Sequence, residues 1–311
     1  MSTGNVFMSP SNVTEINPFA GVDFSALERS LRRPRTLISV GLSLLVSAMT
    51  LLALIPLFSV VWMLVWRGGR KLSLEIFTQL PPAPLEQGGG FGNAIAGTLI
   101  MVGLATLISV PLGIMSAVFL ARAKDNRFAQ IVRFAAKTLT GLPSILAGVF
   151  AYGTIVLLIG GYSAWAGSIA LSVLMLPTII LTAEDAIHMV PSKMKEAAVG
   201  MGATETQTVW MVLLPTAFPG ILTGIVLAIA RAAGETAPLL FTALFSNYWL
   251  VSHGRLDLTQ PTASLAVLIY NFASMPFENQ VELAWAAALV LVLLVLATNL
   301  LGQALSRRQV Q

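Results

Sequence analysis

Six runs of mostly apolar residues recur along the 311-residue chain, at Leu37–Trp66, Asn93–Ala121, Leu142–Ile159, Trp165–Ala183, Ala217–Phe245 and Val281–Ala304. A helix needs about 20 such residues to cross the hydrocarbon of a bilayer, and within lipid only helices and closed barrels keep every backbone group hydrogen-bonded. The runs are therefore expected to be six transmembrane helices of an all-α membrane protein. Composition agrees by exclusion. Charged residues make up 10% of the chain, against about 25% in an average soluble domain, too few to cover a globular surface. So apolar a chain is not disordered either, because burial easily offsets its ordering entropy. With no cysteine and two histidines, it cannot be a disulfide scaffold and has few ligands for zinc or an iron–sulfur cluster. The net charge of +4 is too small to suggest nucleic acid as a partner; membrane lipid is the one that composition implies.

Orientation follows from where the positive charges sit. Residues 1–36 are polar and end in Arg29, Arg32, Arg33 and Arg35. They lack the short basic start, apolar core and cleavage site of a signal peptide, so the first apolar run is expected to be a retained span. If the N-terminus is inside, thirteen Lys and Arg residues fall on inner segments and four (Arg67, Arg70, Lys71, Arg255) on outer ones. The positive-inside rule then places both termini in the cytoplasm. The inner connection between the second and third spans has Phe128, Ile131, Val132, Ala135 and Leu139 on one helical face and Arg127, Gln130, Arg133 and Lys137 on another. That pattern predicts a helix lying at the inner interface. The outer connections, 67–92 and 246–280, are rich in Pro, Gly and Asn and too short for a folded domain, although the second holds a brief apolar run, Leu265–Ile269.

The inner segment 191–215 reads PSKMKEAAVGMGATETQTVWMVLLP. Pro191 and Ser192 offer a break and an N-cap, Lys193–Met201 favours helix, Gly202 interrupts it, and Thr204–Leu214 resumes until Pro215. Two short helices hinged at a glycine are expected. The residues Glu196-Ala197-Ala198, Gly202, Val212 and Leu214-Pro215 resemble the EAA loop of ATP-binding-cassette importer permeases, with Val212 where that family prefers Ile. The resemblance implies that 192–215 is a coupling loop seated in a cleft of a separate ATPase. Ala197 and Ala198 would allow close approach, Gly202 the sharp turn, and Glu196 a pair with a basic group. A phosphate-binding loop needs Gly before its Lys, whereas the five lysines here follow Arg70, Ala123, Ala136, Ser192 and Met194. The chain is accordingly not expected to be an enzyme. His188 and His253 sit in different segments without HExxH spacing, and His188 reads as a residue at a helix end.

Arg231 stands at the middle of the fifth apolar run. An arginine at that depth costs roughly 2.5–3.5 kcal/mol by insertion scales and must face protein or a wet cavity. Glu235 follows four residues later, one turn away on the same face. Pro238 cannot donate to the carbonyl of Gly234, so the backbone there is expected to kink. Gly220, Gly224, Ala228 and Ala232 recur every four residues on another side, a stripe suited to close helix packing. A guanidinium offers a planar fork to a tetrahedral oxyanion, and a carboxylate beside it accepts only from a protonated oxygen. That pair would favour hydrogen phosphate over sulfate. A salt bridge that merely holds the bundle together is the other reading of the same residues.

The stretch Ala230-Arg231-Ala232-Ala233-Gly234-Glu235-Thr236-Ala237-Pro238-Leu239 closely resembles the fifth-span signature of permeases of bacterial phosphate-specific importers. Ser264–Tyr270, Ala284-Trp285, Gly97-Thr98 and Leu142-Pro143-Ser144 are similar to its PstA-type members. The likeness runs over roughly 90–305 and leaves 1–36 outside. It implies a type I importer (MetI-like) permease fold, with tail 1–36, first span 37–66, periplasmic loop 67–92 and permease core 93–305 containing the coupling loop. It also implies a homologous PstC-like permease, two copies of a PstB-like ATP-binding subunit that holds ATP and Mg, and a periplasmic PstS-like phosphate-binding protein. No cofactor is then expected in this chain. Arg231 and Glu235, with Thr236 beside them, become the candidate phosphate pathway in an alternating-access cycle in the bacterial inner membrane. A permease for molybdate or sulfate, and an ATP-independent anion transporter or channel, remain alternatives at this stage.

Overall fold

The computed structural model describes residues 34–123, 126–252 and 255–308. Arg29, Arg32, Arg33, Lys124 and His253 lie outside them. Helix α1 (Pro34–Met63) passes into a π turn (Leu64–Gly68), followed by a single turn α2 (Glu75–Thr78) and the long α3 (Gly92–Arg122). After α4 (Arg127–Thr140) come α5 (Ser144–Ala151), a π turn and α6 (Leu157–Ile159), then α7 (Ala164–His188) and α8 (Ser192–Gly200). α9 (Glu205–Thr208) and a π turn (Val209–Leu213) lead into α10 (Leu214–Ala233) and α11 (Ala237–Thr242). A two-residue hairpin pairs β1 (Val251–Ser252) with β2 (Arg255–Leu256), Val251 opposite Leu256; α12 (Leu265–Ala273) and α13 (Glu278–Arg308) complete the order. Two compact units contain these elements, 1–59 and 60–311. The described part of the first is a stretch of α1 that is mostly apolar, with Ser39, Ser43 and Ser47 along one side.

Among the described residues five helices are long and apolar enough to cross a membrane, and α4 with α5–α6 forms a sixth candidate bent by 108°. The third run was expected to be a span over Leu142–Ile159. Helix covers it from Ser144, after Pro143 in extended geometry, to Ile159, and stops at Gly160 with φ 81°. That stretch rises roughly 24 Å at 1.5 Å per residue, short of a full bilayer.

At the centre of the second unit lies α7, the most buried of the spans. Ser163 caps it by accepting from the Ala166 amide at 3.1 Å. Small residues let its neighbours approach. A β-carbon on Gly113 of α3 would meet Ile179 at 2.6 Å, and one on Gly220 of α10 would meet Ala186 at 2.7 Å. The predicted stripe is therefore the face that α10 packs on α7, with Ala228 and Ala232 buried beside the glycines.

The apolar run Leu265–Ile269 proved to be the start of a buried helix. Ser264 caps α12 by accepting from the Val267 amide at 3.3 Å, and the Leu265 amide donates to Thr98 of α3 at 2.9 Å. Its Leu265 and Leu268 join Leu283 and Ala287 of α13 in one apolar cluster. The helix expected at the inner interface forms as α4, which buries Ala129 and Ala136. Phe128, Ile131 and Phe134 are exposed, while Arg133 points at α7 and pairs with Glu184 at 2.6 Å. A buried carboxylate needs that cation, which outweighs leaving Arg133 in water.

Candidate functional site

Helix α10 ends at Ala233, earlier than the apolar run implied, because the ladder cannot run from the carbonyl of Gly234 to Pro238, which has no amide and instead opens α11. Arg231 is consequently near the end of a helix rather than at the middle of one. Arg231 Nε donates to Glu235 Oε1 at 3.3 Å across the break. The arginine side chain is 42% exposed and the glutamate 15%. Among the described residues this is the one ion pair Arg231 makes, and it uses Nε alone. The two terminal nitrogens keep the fork that could grip an oxyanion. Thr236 lies half-buried at the N-cap of α11, without a side-chain cap bond.

The far side of the break is fixed by packing. A β-carbon on Gly148 of α5 would meet the Pro238 Cα at 2.6 Å. The Ser163 amide donates to the Thr242 carbonyl at 3.0 Å and the Thr262 amide to Ala243 at 2.9 Å. Thus α5, α7 and the outer connection together hold α11, and through it Glu235 and Thr236. Gly148 was not singled out in the sequence, where one glycine in an apolar run carries no sign of what faces it.

At the other end of the same helix is the segment 192–215. Its first half is α8, entered from Pro191 without a side-chain cap, so Ser192 is the first helical residue and not the expected N-cap. Gly202 has φ 87°. The Ala203 amide donates to the Ala198 carbonyl at 3.0 Å and the Gly202 amide to Val199 at 2.9 Å, a Schellman ending in which the left-handed residue is best a glycine. Thr204 and Gln207 then form a capping box that starts α9. Ala198 is buried, whereas Glu196 and Ala197 face outward. Val199, Met201, Trp210 and Met211 are exposed around them, Met201 to 83%. These exposed apolar residues were missed because they are scattered between polar ones in the sequence.

Pro215 was expected to end the second helix. It does not: the Leu214 amide donates to the Val209 carbonyl across a widened π turn, and Pro215 takes a first-turn position of α10. Its missing amide costs nothing in the widened ladder. α9, the π turn and α10 run as one helix, Glu205–Ala233, of 29 residues. Leu214 and Pro215 are therefore part of the rod that ends beside Arg231. Glu205 at its start pairs with Arg122 at the end of α3. His188 ends α7, as read from sequence, with Nε2 3.5 Å from Glu184.

Residues 109–311 match the sequence profile described as a binding-protein-dependent transport system inner membrane component. The chain is 42% identical over 254 residues to the phosphate transport system permease protein PstA of Yersinia pestis, covering 80% of this chain and 84% of that protein. It is 41% identical over 251 residues to the PstA of Haemophilus influenzae, covering 79% and 87%. In fold it resembles a chain of a bacterial alginate ABC transporter complex, with TM-score 0.61 at 17% identity over 88% of this chain and 98% of that one. A chain of the inward-facing MetNI methionine ABC transporter gives TM-score 0.59 at 20% identity, over 70% and 94%.

Proposed function

Because the chain belongs to the PstA family of binding-protein-dependent transport system inner membrane components, we propose that Arg231 and Glu235 form its phosphate pathway and that the helix Glu205–Ala233 carries the ATPase's motion to them. The chain is the multi-pass inner-membrane permease of an ATP-driven phosphate importer and not itself an enzyme. Its relatives' names favour phosphate over molybdate or sulfate, and the family together with the fold shared with ABC transporters favours ATP-driven import over transport without ATP.

The continuity of that helix is the observation that carries the mechanism. Glu205 and Arg231 lie on one continuous helix, with a π turn at Val209–Leu213 and Pro219 within it, about 39 Å apart at 1.5 Å per residue. Movement imposed at α8 and α9 by a docked ATPase, with the termini and this segment in the cytoplasm, reaches the anion site as a rigid tilt, not as a signal passed between loops. Glu196 and Ala197 and the exposed apolar residues Val199 and Met201 are the docking surface in this reading, with Ala198 buried beneath them. ATP and Mg belong to two copies of a PstB-like partner. A PstC-like permease completes the pathway, and a PstS-like protein delivers phosphate to the outer face.

At the site the free terminal nitrogens of Arg231 grip two phosphate oxygens, Glu235 accepts from a protonated third, and the Thr236 hydroxyl is the remaining neighbour. Sulfate has no proton for Glu235 near neutral pH and leaves two negative groups facing each other. The test is ATP-dependent uptake of phosphate, sulfate and molybdate by the complex reconstituted in liposomes. Phosphate uptake that the other two do not match is expected; preferred uptake of either of them contradicts the assignment.

A further inference from the structure

Between α8 and the ends of α3, α7 and α10 lies a cavity of about 250 Å³, with Arg122, His188, Ser192 and Lys195 in its wall and apolar side chains such as Val118 and Leu213 behind them. Each of the four polar residues can donate a hydrogen bond, and two are fixed cations. Opposing them are Glu205, which holds one terminal nitrogen of Arg122 and leaves the rest of the guanidinium available, and Glu184, already paired with Arg133, whose Oε1 lies 3.5 Å from His188 Nε2 and leaves the Nδ1 edge of that ring for a ligand. Lys195 forms no ion pair among the described residues. The volume is below the roughly 300–1,000 Å³ of sites for larger organic ligands, which excludes a nucleotide and suits a small anion with a few waters. Apolar walls strengthen the attraction by lowering the local dielectric.

We propose that this cavity binds one tetrahedral phosphate group from the cytoplasmic side, as inorganic phosphate or as the phosphate of a lipid headgroup, and that its occupancy slows the transport cycle. The proposal rests on the docking and orientation assigned above. The anion would bridge α8 to the ends of two spans, and so binds best in the arrangement where these elements converge. Any state in which α8 swings away from Arg122 and His188 loses those contacts, so the ligand opposes the motion by the difference in affinity. Phosphate accumulating inside would then restrain its own import.

The experiment measures ATP hydrolysis by the whole complex in phosphatidylcholine liposomes with the ATPase side outward, titrated with inorganic phosphate or with sodium chloride of equal ionic strength. A second set of liposomes contains phosphatidylglycerol. Each rate is divided by the same variant's rate without addition, so that altered assembly cancels. The expected result is inhibition by phosphate whose half-point rises about tenfold in Lys195→Gln and in Arg122→Gln, as loss of one charge-assisted contact implies. Inhibition by phosphatidylglycerol, relieved by the same variants, assigns the lipid as the source and supports the site equally. Product inhibition at the ATPase would be identical in every variant. Unchanged half-points in both variants, in both membranes, overturn the proposal. The readout needs no transported solute, so it stands or falls separately from the phosphate assignment.

Discussion

Gly224 of α10 lies so close to Thr182 of α7 that a β-carbon on the glycine would overlap the threonine hydroxyl, meeting its Oγ1 at 2.0 Å and its Cβ at 2.6 Å. The second contact cannot be relieved by rotating the side chain. Gly224→Ala is expected to cost about 1–3 kcal/mol as the two helices separate, lowering the thermal midpoint of the purified complex. Thr182→Ala in the same chain should recover part of the loss, since it removes the nearer atom. A midpoint equal to the parent's in Gly224→Ala would contradict the packing.

Gly202→Ala tests the hinge of the docking segment. Nothing lies within 4 Å of a β-carbon there, but φ is 87°, and a left-handed residue with a side chain costs roughly 1–2 kcal/mol. The expected outcome is weaker retention of the ATPase when the complex is purified through this chain, with the membrane-embedded part intact. Gly202→Asn should retain more, because asparagine tolerates the left-handed region.

Gly148→Ala separates positioning from docking. The added methyl presses on the backbone of Pro238, and a displacement of α11 moves Glu235 relative to Arg231. Phosphate uptake should fall by tenfold or more while the ATPase still co-purifies, consistent with the steep cost of small misplacements at a binding site.

Glu235→Gln bears on selectivity. An amide accepts from a protonated oxygen but also donates to an unprotonated one, and it carries no charge to repel sulfate. Discrimination between phosphate and sulfate, measured as the ratio of their uptake by the variant, should narrow. A ratio equal to the parent's would remove Glu235 from the selectivity step.

Much of this was legible in the sequence because membranes impose few solutions. The Gly220–Ala232 stripe marks a packing face, since only small residues permit the approach seen at Ala186 and Thr182, and Gly202 marks a left-handed turn. The Arg231–Glu235 spacing gave the pair at 3.3 Å. What the pattern could not reveal is where helices break or continue. Pro215 is accommodated by a π turn and Pro238 is not, a difference set by hydrogen bonds several residues upstream. The inward turn of Arg133 depends on Glu184, 51 residues away, and the burial of α12 on Thr98 and Leu283 is equally non-local.

The account turns on Arg231 as the group that grips phosphate, and Arg231→Lys tests it most directly. Lysine keeps the charge and can still pair with Glu235, but it offers no planar fork. Phosphate uptake by liposomes containing the variant complex should fall at least about tenfold, the scale of one lost charge-assisted contact, with ATPase assembly unchanged. Uptake near the parent's level in that fully assembled variant would show that the pair is a scaffold salt bridge and not the pathway.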